Sequence, residues 1–185
     1  NHTGYIKLDE FTKDAGKNVL EAYKKLKAEG ADKLVLDLRG NGGGLLNEAV
    51  NIVNIFVDKG QTVVSKKAKN VEKSVTFKTT QKAFDANVPL VVLIDAYSAS
   101  ASEIVAGSLQ DLDRAVVVGQ RSFGKGLVQT VIPLIYNTQM KVTESKYYIP
   151  SGRCIQAIDY ANRDENGRAT KIPDSLKTAF KTKNG

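Results

Sequence analysis

The sequence contains very few of the side chains that most often bind metal ions or form disulfides. Its 185 residues include a single cysteine, Cys154, a single histidine, His2, and no tryptophan. One cysteine cannot form an internal disulfide, and one cysteine with one histidine cannot build a His/Cys metal cluster. Because His2 lies close to the terminus, a Ser-His-Asp or Cys-His mechanism has almost no candidate base. We therefore expect chemistry that uses other residues and needs neither a metal nor a cofactor.

Long apolar runs are also lacking, and the surplus of positive charge is confined to two regions. No run approaches the roughly 18 apolar residues of a membrane-spanning helix. The formal net charge is +7, yet residues 81–150 carry six basic and six acidic side chains. The surplus lies in 61–80, with five basic residues against one acidic, and in 151–185, with seven against four. A nucleic-acid-binding surface would need a basic stripe on the folded core, so we expect no nucleic-acid partner. We interpret the charge as peripheral, or as a rim that steers substrate.

Strand and helix patterns alternate along most of the sequence. Val19, Leu20, Tyr23 and Leu26 recur at helical spacing, whereas the apolar run 88–94 is too short for a core helix and rich in β-branched residues. Strands are predicted at 4–8, 33–37, 88–94 and 115–118, and helices at 12–29, at 45–57 and from the serine cluster to about 112. Two consecutive β-helix-β units predict an α/β fold with a mostly parallel sheet and flanking helices.

Four further strands are predicted outside the alternating units. Residues 62–65 and 74–79 flank the lysine-rich stretch and predict a solvated hairpin or flap. Residues 127–136 and 140–148 have strand composition as well. The tail from Pro150 is polar and basic, and we expect it to be partly irregular.

Three unusual loops follow three of the predicted parallel strands. They are the glycine run 40–44 after Asp37, the serine cluster 98–102 after Asp95, and the loop 119–126 after Val118. Since parallel strands end at the same edge of a sheet, and ligand sites of open α/β sheets form there, the three loops are predicted to meet at one site.

The loop from Gly119 to Gly126 nearly matches the phosphate-binding pattern Gly-x4-Gly-Lys-Ser/Thr. Gly126 occupies the position that should carry the magnesium-binding hydroxyl, and the segment after it has strand rather than helix composition. No helix N-terminus would then face the phosphates. The loop therefore does not indicate nucleotide hydrolysis.

The serine cluster combined with a neighbouring lysine indicates nucleophilic catalysis. The cluster lies where a strand turns into a helix, like the nucleophile of other α/β hydrolases, although its serines could also simply cap the helix. Lys125 is flanked by Gly124 and Gly126, which let the backbone bend so that the lysine points into a site; a surface turn lysine is the simpler alternative. A serine needs a base, and a buried lysine whose pKa is lowered by desolvation can act in its neutral form.

The sequence contains four unusual motifs in order: Asp37 to Gly44, Ser98 to Ile104, Gly119 to Gln129 and Lys146 to Arg153. Together they resemble the carboxyl-terminal processing (tail-specific) proteases, the S41 peptidases. The resemblance covers about residues 4–155 and implies a crotonase/ClpP-like β-β-α core with a β hairpin. It implies that residues 1–155 form the protease core and 156–185 a C-terminal extension of it.

The resemblance assigns roles to residues of this sequence. It implies that Ser100 is the nucleophile, Lys125 the general base and Gln129 the residue that orients the lysine; alternation along a strand starting at the lysine would put the last two on one face. For the oxyanion it implies the amide of Ala101 and an amide at Gly43 or Gly44. Some descriptions of the family add an aspartate, which falls on Asp111. We expect that side chain to be a solvated group at a helix C-terminus, away from the site.

The function implied by the resemblance is a serine endopeptidase that cleaves near the C-termini of protein substrates. Members usually carry a PDZ domain before the core; we expect this chain to be a core without it, incomplete at its C-terminus, with PDZ or adaptor regulation in a longer protein. An extracytoplasmic bacterial location is implied, and a homo-oligomer is compatible. The alternatives are a non-catalytic member that binds extended peptides and an acyl-transfer enzyme for small molecules, since crotonase-like sheets also use paired amides.

Overall fold

The computed structural model describes residues 2–173, 175 and 177–185, and its centre is a four-stranded parallel sheet. The strand order is β1-β2-β5-β6, and all three neighbouring pairs are parallel. This confirms the predicted α/β fold. The bounds of these strands are Thr3–Lys7 for β1, Lys33–Asp37 for β2, Leu90–Ile94 for β5 and Val116–Gly119 for β6.

Three helices pack with this sheet around one core. They are α1 (Ala15–Ala28), α2 (Leu46–Phe56) and α3 (Ala101–Asp111), and α2 contacts both of the others. The first two bury one apolar face each, whereas α3 is buried along almost its whole length. Its many small residues let neighbouring elements approach closely, so the helix that follows the serine cluster is fixed by the core on nearly every side.

The predicted hairpin and the two further predicted strands form a second, antiparallel sheet with the order β4-β3-β8-β7. The lysine-rich stretch supplies the end of β3, with Lys66 and Lys67, and the turn between β3 and β4, which includes a short 3-10 turn at Val71–Lys73. The pairing of β8 with β3 ends at residue 145, so the far half of the β7–β8 hairpin extends past β3 and β4. The bounds are Thr62–Ala68 for β3, Val75–Lys78 for β4, Leu127–Pro133 for β7 and Gln139–Tyr148 for β8.

The C-terminal region contains a small hairpin that the sequence pattern did not predict. Strands β9 (Ile158–Arg163) and β10 (Ala169–Lys171) pair antiparallel across a turn in which the Gly167 amide donates to the Asp164 carbonyl. Their polar composition hides the alternation by which a strand is normally found. Within the described residues, no helix has the length and apolarity needed to cross a membrane.

Candidate active site

The carboxyl ends of β2, β5 and β6 lie side by side, as the topology predicts. Asp37 pairs with Leu93 in the neighbouring strand, and Leu93 pairs with Val118 in the next. The glycine run, the serine cluster and the lysine loop 120–126 therefore leave the sheet at one edge. A backbone hydrogen bond joins the serine cluster directly to the glycine run: the Ala99 amide donates to the Asn41 carbonyl.

Two serines of the cluster hold the glycine run in place. The Ser98 hydroxyl donates to the Leu38 carbonyl at 2.8 Å, and the Ser102 hydroxyl donates to the Asn41 carbonyl at 2.9 Å. Both serines are completely buried. A buried hydroxyl with a backbone acceptor stabilises the fold, so the structure gives Ser98 and Ser102 a structural role.

Ser100 has a different environment and a strained backbone. Its φ of 56° and ψ of −111° lie outside the regions that L-residues normally occupy, including the left-handed helical region. The side chain is only partly buried, and among the described residues its hydroxyl donates no hydrogen bond. Strained residues persist only where the surrounding structure enforces them, and they concentrate at functional sites.

Gly43 packs directly against Ser100. A Cβ on Gly43 would lie 2.8 Å from the Ser100 Cβ and 3.1 Å from the Ala101 amide nitrogen. The Gly43 amide already donates to the Asn41 side chain at 2.9 Å. Among the described residues, no acceptor is seen for the Gly44 amide, and the Ala101 amide is the first of α3 and has no carbonyl within the helix to bond.

The glycines beside Lys125 serve close packing as well as bending. Ideal Cβ atoms on Gly124 and Gly126 would collide with Ala157 and Gln156. The Ala157 amide donates to the Gly124 carbonyl, and the Gly126 amide donates to the Gln156 side chain at 2.9 Å. The lysine loop is therefore packed against residues 155–157, which belong to the tail that we expected to be partly irregular.

The lysine side chain itself is exposed in this structure rather than buried. Within the described part of the chain, no hydrogen bond joins Lys125 to Ser100 or to Gln129. Gln129 is also exposed and donates to the Thr143 hydroxyl at 3.3 Å. The loop backbone therefore lies near the serine turn, whereas the Lys125 and Gln129 side chains are exposed to solvent.

Asp111 lies at the other end of α3, about 16 Å from Ser100 along the helix axis. Our expectation that it is solvated is wrong: its exposed fraction is 6%. The Ser151 amide donates to its Oδ2 at 2.9 Å, and the Arg153 guanidinium lies 3.8 Å from its Oδ1. These contacts give Asp111 a structural role at the far end of α3.

The sequence reading missed Glu103, which is buried between the serine turn and the lysine loop. Its Oε2 accepts from the amides of Ser100 at 2.9 Å and Lys125 at 2.8 Å. Its Oε1 accepts from the Ser122 hydroxyl at 2.8 Å and the Gly124 amide at 2.6 Å. The spacing Ser100-x-x-Glu103 fits a capping box and could have indicated the first of these bonds. Nothing in the local pattern indicates the other three.

Charged residues at the ends of β2 and β5 shape the glycine run. Bidentate hydrogen bonds from the Arg39 guanidinium hold the pKa of the buried Asp37 carboxyl well below its usual range, and the Tyr5 hydroxyl adds to the effect. The pKa of Asp95 is lowered too, first by the Gly40 amide, which donates to it at 3.0 Å. Both aspartates therefore act as ionised acceptors that fix where the glycine run begins.

A serine in a strained strand-to-helix turn, beside backbone amides at a sheet edge, is the arrangement of serine hydrolases with α/β folds.

Residues 2–162 match the peptidase family S41. The carboxy-terminal-processing protease of Bartonella bacilliformis is 43% identical over 159 residues, or 84% of this chain and 36% of that protein. A probable CtpA-like serine protease of Staphylococcus aureus is 40% identical over 82% of this chain and 31% of its own length. The chain belongs to peptidase family S41.

The solved structures agree with this assignment. The photosystem II D1 C-terminal processing protease superposes with a TM-score of 0.76 and 35% identity over 83% of this chain and 39% of that chain. The family resemblance predicted from the four motifs is thereby confirmed, as is the S41 fold. The chain spans about a third of the length of the curated relatives named above, 36% and 31%.

Proposed function

We propose that this chain carries the active site of a serine endopeptidase that cleaves polypeptides near their C-termini through Ser100 and Lys125. The observation that supports this most is the strained backbone of Ser100, held beside Gly43 and the free first amide of α3. The relatives' names, which describe C-terminal processing proteases, support the substrate class.

In the proposed mechanism, the Ser100 Oγ attacks the scissile carbonyl and its proton passes to the neutral Lys125 Nζ. The oxyanion is stabilised by the amides of Ala101 and of Gly43 or Gly44, of which Gly44 is the better candidate because the Gly43 amide is already bonded. The C–N bond then breaks, and the lysine returns the proton to the leaving amine. Water hydrolyses the acyl-enzyme by the same steps in reverse.

The Lys125 side chain is exposed in this structure, so the mechanism requires it to fold towards Ser100. An extended peptide lying over the loop would exclude water and favour the neutral amine. Gln129 would orient that amine through its side-chain oxygen, since its nitrogen is the atom that faces Thr143.

The direct test compares the purified protein with Ser100→Ala and Lys125→Ala in peptide cleavage and in labelling by a fluorophosphonate. Ser74→Ala and Lys73→Ala, in the β3–β4 turn, are matched controls. We expect both site variants to lose turnover and Ser100→Ala to lose labelling, while the controls keep both. Equal turnover by Ser100→Ala would refute the nucleophile.

The alternative is a non-catalytic protein that binds extended peptides. Two observations favour this alternative. Strand β7 lies at the edge of its sheet and begins two residues after Lys125, and the Lys125 side chain is exposed. Peptide binding without any labelling of Ser100 would support this alternative.

The setting of the enzyme follows from the family resemblance. We propose an extracytoplasmic location, regulation by a PDZ domain or an adaptor, and polypeptide substrates held by their C-terminal tails. A homo-oligomer is compatible with this setting. Fractionation of cells that express the protein tests the location.

A further inference from the structure

Glu103 lies between the two segments that the proposed mechanism must bring together. Its exposed fraction is 6%, and it sits in the first turn of α3. Four hydrogen bonds reach its carboxylate, two at each oxygen. Three of the four donors belong to the lysine loop, about twenty residues away in sequence, so the contacts go beyond those of a helix cap.

A single oxygen of this carboxylate connects the two proposed catalytic residues. Oε2 accepts from the Ser100 amide at 2.9 Å and from the Lys125 amide at 2.8 Å. Two donors that share the lone pairs of one sp² oxygen lie roughly 5 Å apart. The separation of the serine and lysine backbones is therefore set by one atom.

The chemistry of the contact requires a carboxylate. An ionised carboxylate only accepts hydrogen bonds and offers about four lone-pair positions, which matches the four donors present here. Charge-assisted bonds of this kind are stronger than neutral ones. The bond to the Ser100 amide also helps to hold that residue in the strained conformation, which needs such external constraints.

We propose that Glu103 is a positioning residue that holds the Ser100 turn and the Lys125 loop at reacting distance. The inference rests on the proposed function, because it assumes that these two residues react together. It predicts that Glu103 affects the chemical step rather than peptide binding, since its side chain faces the backbone of the loops and not their outer surface.

Glu103→Gln tests the proposal with little change in size. Glutamine replaces one accepting oxygen by a donating NH2 group, which would meet either the Ser100 and Lys125 amides or the Gly124 amide and the Ser122 hydroxyl. In either orientation the NH2 group cannot accept from the amide that faces it. Displacements of about 1 Å at a reacting centre cost roughly 100-fold in rate. We expect kcat to fall by about that factor and KM to stay unchanged.

Glu48→Gln is the control, since Glu48 is a partly buried glutamate that likewise accepts from a backbone amide, that of Gly16. The proposal would be overturned if Glu103→Gln had the kcat of the wild type, whether or not its KM rose. If Glu103→Gln does not fold, Ser122→Ala decides, because it removes one of the four bonds by deleting only a hydroxyl. We then expect a several-fold lower kcat at constant KM, and wild-type kcat would refute the role.

The Ser100→Ala comparison distinguishes a failure of the proposed function from a failure of the positioning role of Glu103. If wild type and Ser100→Ala cleave equally, the proposed function fails and the Glu103 variants carry no further weight. If wild type is active, Ser100→Ala is inactive and Glu103→Gln equals wild type, only the positioning role fails.

Discussion

Gly43→Ala would place a methyl group directly against the proposed nucleophile. The new Cβ would lie 2.8 Å from both the Ala99 carbonyl oxygen and the Ser100 Cβ. Ordinary contacts between carbon atoms are about 3.5–4.0 Å, so the serine turn must move by roughly 1 Å. The φ of +105° adds a backbone cost of about 1–2 kcal/mol for any L-residue. A 1 Å shift at the nucleophile should lower kcat by roughly 100-fold.

Gly42→Ala is the control, because it is the preceding residue of the same loop and a Cβ there meets nothing within 4 Å. The assay is kcat on a C-terminal peptide substrate, with chemical unfolding of each variant to follow stability. We expect Gly42→Ala to behave like the wild type. If the kcat of Gly43→Ala stays within about threefold of that of Gly42→Ala, a free-energy difference below 1 kcal/mol, the geometric argument is refuted.

Two further predictions concern stability. Gly124→Ala should lower the free energy of unfolding by about 1–3 kcal/mol more than Gly152→Ala. The two glycines have nearly the same φ, +87° and +86°, but only a Cβ at position 124 would collide with a neighbour. Equal losses of stability in urea unfolding would contradict the packing. Asp37→Asn should cost about 2 kcal/mol at neutral pH, since it loses charge-assisted bonds from Arg39. Because the pKa of Asp37 is lowered in the folded state, the wild type should lose its advantage over Asp37→Asn as the pH falls below about 4. A difference that is constant from pH 6 to about 2.5 would argue against the ionised pair.

The parts of the site that depend on topology could be predicted from the sequence. A repeated β-helix-β pattern has one common solution, so the loops after Asp37, Asp95 and Val118 had to meet at one edge. The strand bounds at Lys33–Asp37 follow from a short, buried apolar run. Small errors at the helix ends do not affect this conclusion, since the loops and not the ends carry the site.

The parts that depend on contacts between distant residues could not be predicted. Glu103 reads locally as the partner of a helix cap, and its bonds to the lysine loop exist only once α3 and β6 are in place. From the sequence, the glycines beside Lys125 indicate a flexible backbone, whereas in the structure residues 155–157 pack against them. Those residues belong to a polar segment whose sequence shows neither helical nor strand periodicity. Asp111 was misjudged for the same reason, because its partners Ser151 and Arg153 come from another part of the chain.

The backbone of Ser100 also bears on how this protein can be engineered. Its φ of 56° and ψ of −111° are the mirror image of an extended conformation. Glycine adopts this mirror-image conformation about as readily as the ordinary extended one. A library selected only for thermal resistance would therefore favour glycine at position 100 and discard the hydroxyl. In this fold, a gain in melting temperature obtained without an activity screen would come at the expense of the proposed nucleophile.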